Sequence, residues 1–298
     1  MKLALIGYGS VAKALEPLLQ ADGRFEIAGI HTRSRPAADS AEAFLDAAKA
    51  QILVELTTLN PWTGEPAVSH IRAAFARGMH VVTANKGPVA HAYRELADEA
   101  ERRGLIWRFE SSVMDGTPIF NQFRNNLPGV TVLGFAGVLN STSNLAIEAM
   151  EHGESFEDGL NYARELGVAE ADASFDIDGW DSAAKTAALA NVLMDARTRP
   201  QNVDRSGIAG YTPAMLQDLG KQGLTVRLVS RARVGGLLSA KAEVLPRTSL
   251  LASAPGTSNV ILFETDRMGT LGTMSINPGV EQTAYGVYVD LLDIAAQC

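Results

Sequence analysis

The chain has 298 residues, 46% of them hydrophobic and 20% charged, which is enough to bury one large core or two modest ones, so two domains are expected. Lys and Arg number 26 against 34 Asp and Glu, a net charge of −8, and no basic cluster interleaves with aromatics, which excludes a nucleic-acid partner. A single cysteine, Cys298, makes no internal disulfide and no run of about 18 apolar residues occurs, so the chain reads as a reduced, cytoplasmic protein without a membrane span.

The opening apolar run breaks at Gly7 and has no cleavage site, so it reads as a strand and not as a targeting segment. Strand-like apolar runs then alternate with helical patterns: strand 2–6, helix 11–20, strand 25–31, helix 38–48, strand 52–56, helix 67–77, strand 80–83, helix 93–103 and strand 106–110. Short βαβ periods of this kind predict a parallel sheet with right-handed crossover helices. After about residue 116 the alternation ends. A strand at 130–139, helices at 143–151, 156–166 and 180–195, strands at 239–246 and 259–264, and a last helix at 285–296 suggest an α+β second domain.

Gly7-Tyr8-Gly9-Ser10-Val11-Ala12 sits where the first strand meets the first helix and fits G-x-G-x-x-G/A. Gly7 would permit the tight turn, Gly9 would let a pyrophosphate reach the backbone amides of Ser10 and Val11, and Ala12 would keep the helix close to the sheet. Any glycine-rich strand-to-helix turn matches this pattern; its place at the head of a long βαβ array is what points to a dinucleotide. The second strand ends in His31-Thr32-Arg33-Ser34-Arg35, with no carboxylate for a ribose hydroxyl. Thr32, Arg33 and Arg35 therefore favour NADP over NAD, the plainer alternative being a solvated basic turn. Thr57-Thr58 and Thr83-Ala84-Asn85-Lys86 follow the third and fourth strands, where ligands of open α/β sheets lie, so Thr57, Thr58 and Asn85 join the cofactor set.

The densest polar cluster holds Glu170, Asp172, Asp176, Asp178 and Asp181 ahead of an Ala-rich helix that carries Lys185. Carboxylates so close raise one another's pKa unless a cation joins them, and a substrate ammonium could be that cation; an acidic helix-capping loop is the plainer alternative. The five histidines show no ligand spacing, and Ser111 and Ser112 have no nucleophile elbow.

Taken in order, Gly7-x-Gly9, Thr83-Ala84-Asn85-Lys86, Glu110-Ser-Ser-Val113, Leu139-Asn140-Ser-Thr142-Ser-Asn144, the acidic block ending in Lys185, and Asn277-Pro278-Gly279 with Thr283-Ala284 resemble the homoserine dehydrogenase family over essentially the whole chain. The length agrees with a short form lacking an appended regulatory or kinase module. The resemblance implies an α/β fold with an N-terminal doubly wound Rossmann domain at 1–115, an α+β substrate and dimerisation domain at 116–276, and a segment at 277–298 returning to the first domain. It implies a homodimer that interconverts L-homoserine and L-aspartate 4-semialdehyde by hydride transfer. Glu170, Asp176 and Asp181 would hold the substrate's amino and hydroxyl ends with Asn140 and Thr142 beside them, Lys86 and Lys185 would stand near the reacting oxygen, and Glu110, Val113, Asp115 and Thr117 would take a sodium or potassium ion.

Two positions depart from the family's glycines, Asp115 and Ser141. A side chain there would narrow or recharge the pocket, so a dehydrogenase of another small hydroxy compound is the alternative, followed by a non-catalytic NADP-binding sensor and a scaffold module. Asp181, four residues before Lys185, suits that lysine to donate, which leaves Lys86 the stronger candidate for proton transfer.

Overall fold

A computed structural model of the chain describes residues 1–169 and 172–298. It divides into two units, residues 1–126 with 279–298, and residues 127–278.

In the first unit β1 (Lys2–Ile6), α1 (Ser10–Asp22), β2 (Glu26–His31), α2 (Ala41–Ala48), β3 (Ile52–Glu55), α3 (Ala67–Ala76), β4 (His80–Thr83), α4 (Lys86–Arg102) and β5 (Trp107–Arg108) follow one another. The strands form a parallel sheet in the order β2-β1-β3-β4-β5. β1 and β3 read as unbroken apolar runs because helices cover both faces, and Leu3, Leu5, Ile52 and Val54 are fully buried. α1 turns Ala12, Leu15 and Leu19 onto this core, and Gly23, at φ 71°, ends it by donating its N–H to the Leu19 carbonyl. The chain order reverses between β1 and β3, the place where open sheets of this kind receive ligands.

Two sequence expectations shift. α4 begins at Lys86 and not at 93, because Asn85 caps it by accepting the Gly87 N–H at 2.9 Å and a first-turn Pro88 needs no partner for a missing N–H; Ala92, at φ −140°, kinks the helix. The strand expected at 106–110 keeps only Trp107–Arg108. Beyond it the Glu110 N–H turns to the Asp290 carboxylate at 2.8 Å, so the backbone leaves the sheet as a 3-10 turn over Glu110–Ser112.

The last helix of the chain lies in this unit. It runs over Val280–Gln297 and buries Ala284, Val287, Leu291 and Ile294 against Leu15, Leu19 and Phe25. Its close approach to the turn after β5 depends on two glycines. A Cβ on Gly286 would stand 2.3 Å from Ser111 Oγ and 2.6 Å from the Gly116 Cα, and one on Gly116 would stand 2.0 Å from the Gln282 carbonyl oxygen. Gly286→Ala should therefore destabilise the protein by about 2–3 kcal/mol, read from denaturant midpoints, since the Gly116 backbone as well as the Ser111 hydroxyl blocks the methyl.

The second unit contains β6 (Val132–Val138), α5 (Ser141–Glu151), α6 (Phe156–Glu165), α7 (Ser174–Ile177), α8 (Trp180–Met194), β7 (Asp204–Ser206), α9 (Pro213–Lys221), β8 (Leu224–Arg233), β9 (Ser239–Pro246), β10 (Asn259–Thr265) and β11 (Thr270–Ser275); the terminal helix Val280–Gln297 is α10. Its six strands run in the order β11-β10-β6-β8-β9-β7, antiparallel except for the β7 and β9 pair. α5 and α8 pack on one face of this sheet. The small side chains of Ala183, Ala184, Ala187 and Ala188 on α8 are fully buried, which lets the helix lie close against the strands.

Candidate active site

In the first unit the expected dinucleotide turn has the geometry its glycines require. Gly7 lies at φ 96°, its N–H bonds the His31 carbonyl at 3.0 Å, and a Cβ would stand 2.4 Å from the Leu56 carbonyl oxygen. A Cβ on Gly9 would meet nothing within 4 Å, so the backbone there faces open space. Gly9 is also the N-cap of α1 and supplies no side chain, which leaves the first-turn amides beginning at Ser10 and Val11 to be satisfied from outside. An open, uncapped helix N-terminus beside the reversal of strand order fits a pyrophosphate.

The turn after β2 is held by the Arg35 N–H on Thr32 Oγ1 at 2.9 Å, with Ser34 Oγ 3.3 Å away. Arg33 and Arg35 are exposed, and among the described residues neither forms an ion pair. At the ends of β3 and β4, Asn85 Nδ2 donates to the Thr57 carbonyl at 3.1 Å and reaches the Thr58 carbonyl at 3.5 Å. These bring Thr57, Thr58 and Asn85 together, and half-buried Lys86 opens α4 directly after them. Sequence reasoning missed the acid beneath them, Glu55, which is fully buried and bound by Thr57 and Thr83.

The turn expected to hold a cation is built on Glu110, 2% exposed. Its Oε1 accepts the N–H groups of Ile119 (2.5 Å) and Phe120 (2.7 Å), and Oε2 accepts that of Asn121 (2.6 Å). Burial raises the Glu110 carboxyl above the usual carboxylate range despite these donors. Asp290 on α10 is pushed up to about 7 by burial, against the pull of the Glu110 N–H, with the Glu110 charge adding to the rise. Three amides occupy the Glu110 carboxylate, so its backbone oxygen is what a cation would use, next to buried Val113 and to Asp115 and Thr117. Among the described residues no group of three or more His, Cys, Asp or Glu could hold a metal ion.

Both departures from the family's glycines are engaged within their own units. Asp115 lies at φ 53°, in the left-handed region that favours glycine, and its Oδ1 accepts from the Thr283 hydroxyl at 3.3 Å. The Ser141 hydroxyl donates to the Thr257 carbonyl at 3.0 Å.

In the second unit the end of β6 and three helices bring the polar candidates together. Asn140 caps α5 by accepting the Ser143 N–H at 2.8 Å, and its Nδ2 donates both to Asp176 Oδ1 at 2.7 Å and to Asp181 Oδ2 at 3.0 Å. Lys185, one turn after Asp181 on α8, places Nζ 3.2 Å from Asp181 Oδ2 and donates to the Leu139 carbonyl at 2.5 Å. Thr142 is buried on α5 beside Asp176, and its hydroxyl reaches the Val168 carbonyl at 3.4 Å. Burial and the neighbouring Asp181 push the Asp176 carboxyl up to about 6, against the Asn140 amide and the Lys185 charge. Two carboxylates share one donor and a single lysine beside them, which suits an incoming ammonium. Glu170 lies outside the described residues.

Family models for homoserine dehydrogenase and for the homoserine dehydrogenase NAD binding domain match residues 118–292 and 7–110. A homoserine dehydrogenase of Methanocaldococcus jannaschii is 39% identical over 246 residues, 82% of this chain and 73% of that protein. An NAD(+)-dependent homoserine dehydrogenase of Pseudomonas canavaninivorans is 35% identical over 257 residues, 85% of this chain and 73% of that protein. Among solved structures, a homoserine dehydrogenase from Thiobacillus denitrificans matches with a TM-score of 0.87 at 29% identity, over 99% of this chain and 73% of that one.

Proposed function

The chain belongs to the homoserine dehydrogenase family, whose members are NAD(P)-dependent oxidoreductases, and from that premise we propose that it interconverts L-homoserine and L-aspartate 4-semialdehyde with NADP as its preferred cofactor. The observation that carries this reading is the Asn140 amide drawing Asp176 and Asp181 together beside Lys185. Asp176 and Asp181 take the substrate's ammonium, assisted by Asn140 and Thr142 and by Glu170. When bound, the nicotinamide supplies or accepts the hydride. Lys185 and Lys86 present ammonium groups to the reacting oxygen; a lysine gives a proton to the alkoxide as the aldehyde is reduced and takes it back as the alcohol is oxidised. The turn carrying Glu110, Val113, Asp115 and Thr117 takes a sodium or potassium ion through backbone oxygens.

The test is a steady-state assay with L-homoserine and each cofactor, followed at the NADPH absorbance band. Turnover with NADP upholds the reading. Silence on homoserine with turnover on another small hydroxy compound favours the alternative dehydrogenase, and NADPH binding without any turnover favours a sensor. The engagement of Asp115 with Thr283 and of Ser141 with Thr257 supports homoserine over an altered substrate.

Cofactor choice rests on Arg33 and Arg35 as partners for a ribose 2′-phosphate. The Arg33→Ala, Arg35→Ala double variant should raise KM for NADP by about 10- to 100-fold, the scale of two lost charge-assisted bonds, while KM for NAD changes little.

The face of the six-stranded sheet that Leu251 and Ala254 cover only in part supports a homodimer. Its rows place Leu262, Ala136 and Arg231 side by side, with Met274 partly exposed at the edge strand and the ion pairs Arg231 to Glu243 and Arg233 to Glu264 alongside. A soluble, cytoplasmic enzyme is the matching setting; no helix of the described residues is long and apolar enough to cross a membrane.

A further inference from the structure

Glu55 ends β3 with no solvent exposure, and the bonds around its carboxylate all run toward it. Oε1 accepts the Thr57 N–H at 3.1 Å and the Thr57 hydroxyl, and Oε2 accepts the Thr83 hydroxyl at 2.9 Å. His70 Nδ1 lies 3.7 Å from Oε1. The Thr83 oxygen in turn accepts the Asn85 N–H at 3.0 Å, and Asn85 closes the circuit through Nδ2 on the Thr57 carbonyl at 3.1 Å. The Asn85 N–H can only donate, so the Thr83 hydroxyl turns a lone pair to it and its proton to Glu55, where the carboxylate at 2.9 Å and the backbone carbonyl at 3.0 Å both accept. The Glu55 carboxylate gathers Thr57 and Thr83, from the ends of β3 and β4, onto one pair of acceptor oxygens. Asn85 is the cap of α4, and Lys86 is its next residue.

The first turn of α4 is also walled in. A Cβ on Gly87 would stand 3.0 Å from the Gly64 Cα and 3.2 Å from a Leu59 methyl, so the helix start cannot slide toward the loop at 59–64. What is left to set its orientation is the cap. A buried acid is an expensive way to join two strand ends, since its desolvation opposes folding. It is an effective way to tie donors from two strand ends to one point.

We propose that Glu55 is a positioning residue for the dehydrogenase reaction: through Thr83 and Asn85 it fixes the start of α4, and with it Lys86, at the ends of β3 and β4. This rests on the homoserine dehydrogenase reading. The substitution Glu55→Gln keeps the volume and lets the new amide donate to Thr83, whose hydroxyl can turn to the Glu55 backbone carbonyl 3.0 Å away, so the fold survives while one of the acceptor oxygens that gather Thr57 and Thr83 is lost. Thr83→Val cuts the same chain one link further on.

Each variant is compared with the wild-type enzyme for Tm, NADPH Kd by fluorescence titration, kcat and KM for L-homoserine with NADP, and amide hydrogen exchange at 85–87. Expected are a kcat loss of about tenfold or more in both, with KM and NADPH Kd within about threefold. The double variant should fall no further than Thr83→Val alone, as for two members of one chain. Exchange at 85–87 should quicken by about tenfold in Glu55→Gln. The proposal is overturned by wild-type kcat in Glu55→Gln, by a loss confined to Tm or KM, or by losses that multiply in the double variant. If the wild-type enzyme does not oxidise homoserine, the function reading fails by itself, and unchanged exchange at 85–87 then overturns the role of Glu55 while quickened exchange upholds it.

Discussion

Lys185→Met is expected to lower kcat for homoserine oxidation by about 10²- to 10⁴-fold, the range for loss of a positioned acid or base, with NADPH affinity nearly unchanged. The side chain cannot be replaced by a drifting neighbour, because Nζ is fixed between Asp181 Oδ2 on α8 and the Leu139 carbonyl just beyond β6. Methionine keeps most of the stem and removes the charge, so the loss isolates the ammonium from its packing. The same substitution at Lys86 is expected to lower turnover on the same scale, and stopped-flow reduction of NADP would show whether the hydride step itself has slowed. A variant at either position with normal turnover would remove that lysine from the mechanism.

Asp176→Asn is the second large effect, and it should act in opposite directions on binding and on stability. The carboxyl stands at about 6 in the folded protein against an ordinary 3.8, because burial and Asp181 disfavour its charge. A raised carboxyl means the folded chain holds a proton that the unfolded chain has released, so stability is lost as pH rises from about 4 to about 6 and stays lost above that. The displacement of roughly two pH units bounds the penalty at about 3 kcal/mol, and partial solvent access reduces it. Thermal unfolding of Asp176→Asn should therefore match the wild type near pH 4 and exceed it at pH 7. Binding moves the other way. Homoserine KM should rise by about 10- to 100-fold for the loss of a charge-assisted contact to an ammonium, and in the wild type KM should fall as pH climbs through about 6, when Asp176 becomes ionised. A KM that does not respond to pH between 5 and 7 would place the ammonium elsewhere.

The alternation of strands and helices in the first unit was legible because parallel strands buried on both faces leave unbroken apolar runs, and glycines punctuate them. The same logic found Gly7 and Gly9. It failed at the start of α4, where Gly87 and Pro88 look like loop residues until Asn85 is seen to cap them. β8 escaped notice because Arg227, Arg231 and Arg233 suggest a solvated segment; Arg227 is in truth 4% exposed, with its guanidinium 3.5 Å from Glu148. The acidic block could be seen as a density of carboxylates, yet spacing cannot say that Asn140, 36 and 41 residues away, would bind Asp176 and Asp181 at once. Glu55 was hidden for a related reason: Thr83 is 28 residues distant, and a single acid closing an apolar strand looks like its polar end. Local periodicity reports which face is buried; it carries no information about pairings made between distant segments.

The glycine contact between α10 and the turn at 111–116 bears on how this protein comes off the ribosome. Leu15, Leu19 and Phe25 have no complete wall until Ala284, Val287 and Leu291 have emerged, almost the whole length of synthesis later. The stretch 127–278, by contrast, is continuous, and can close its own core while the earlier segment is still waiting. The first unit's core therefore waits for the last helix of the chain, while every strand of the second has been made by residue 275.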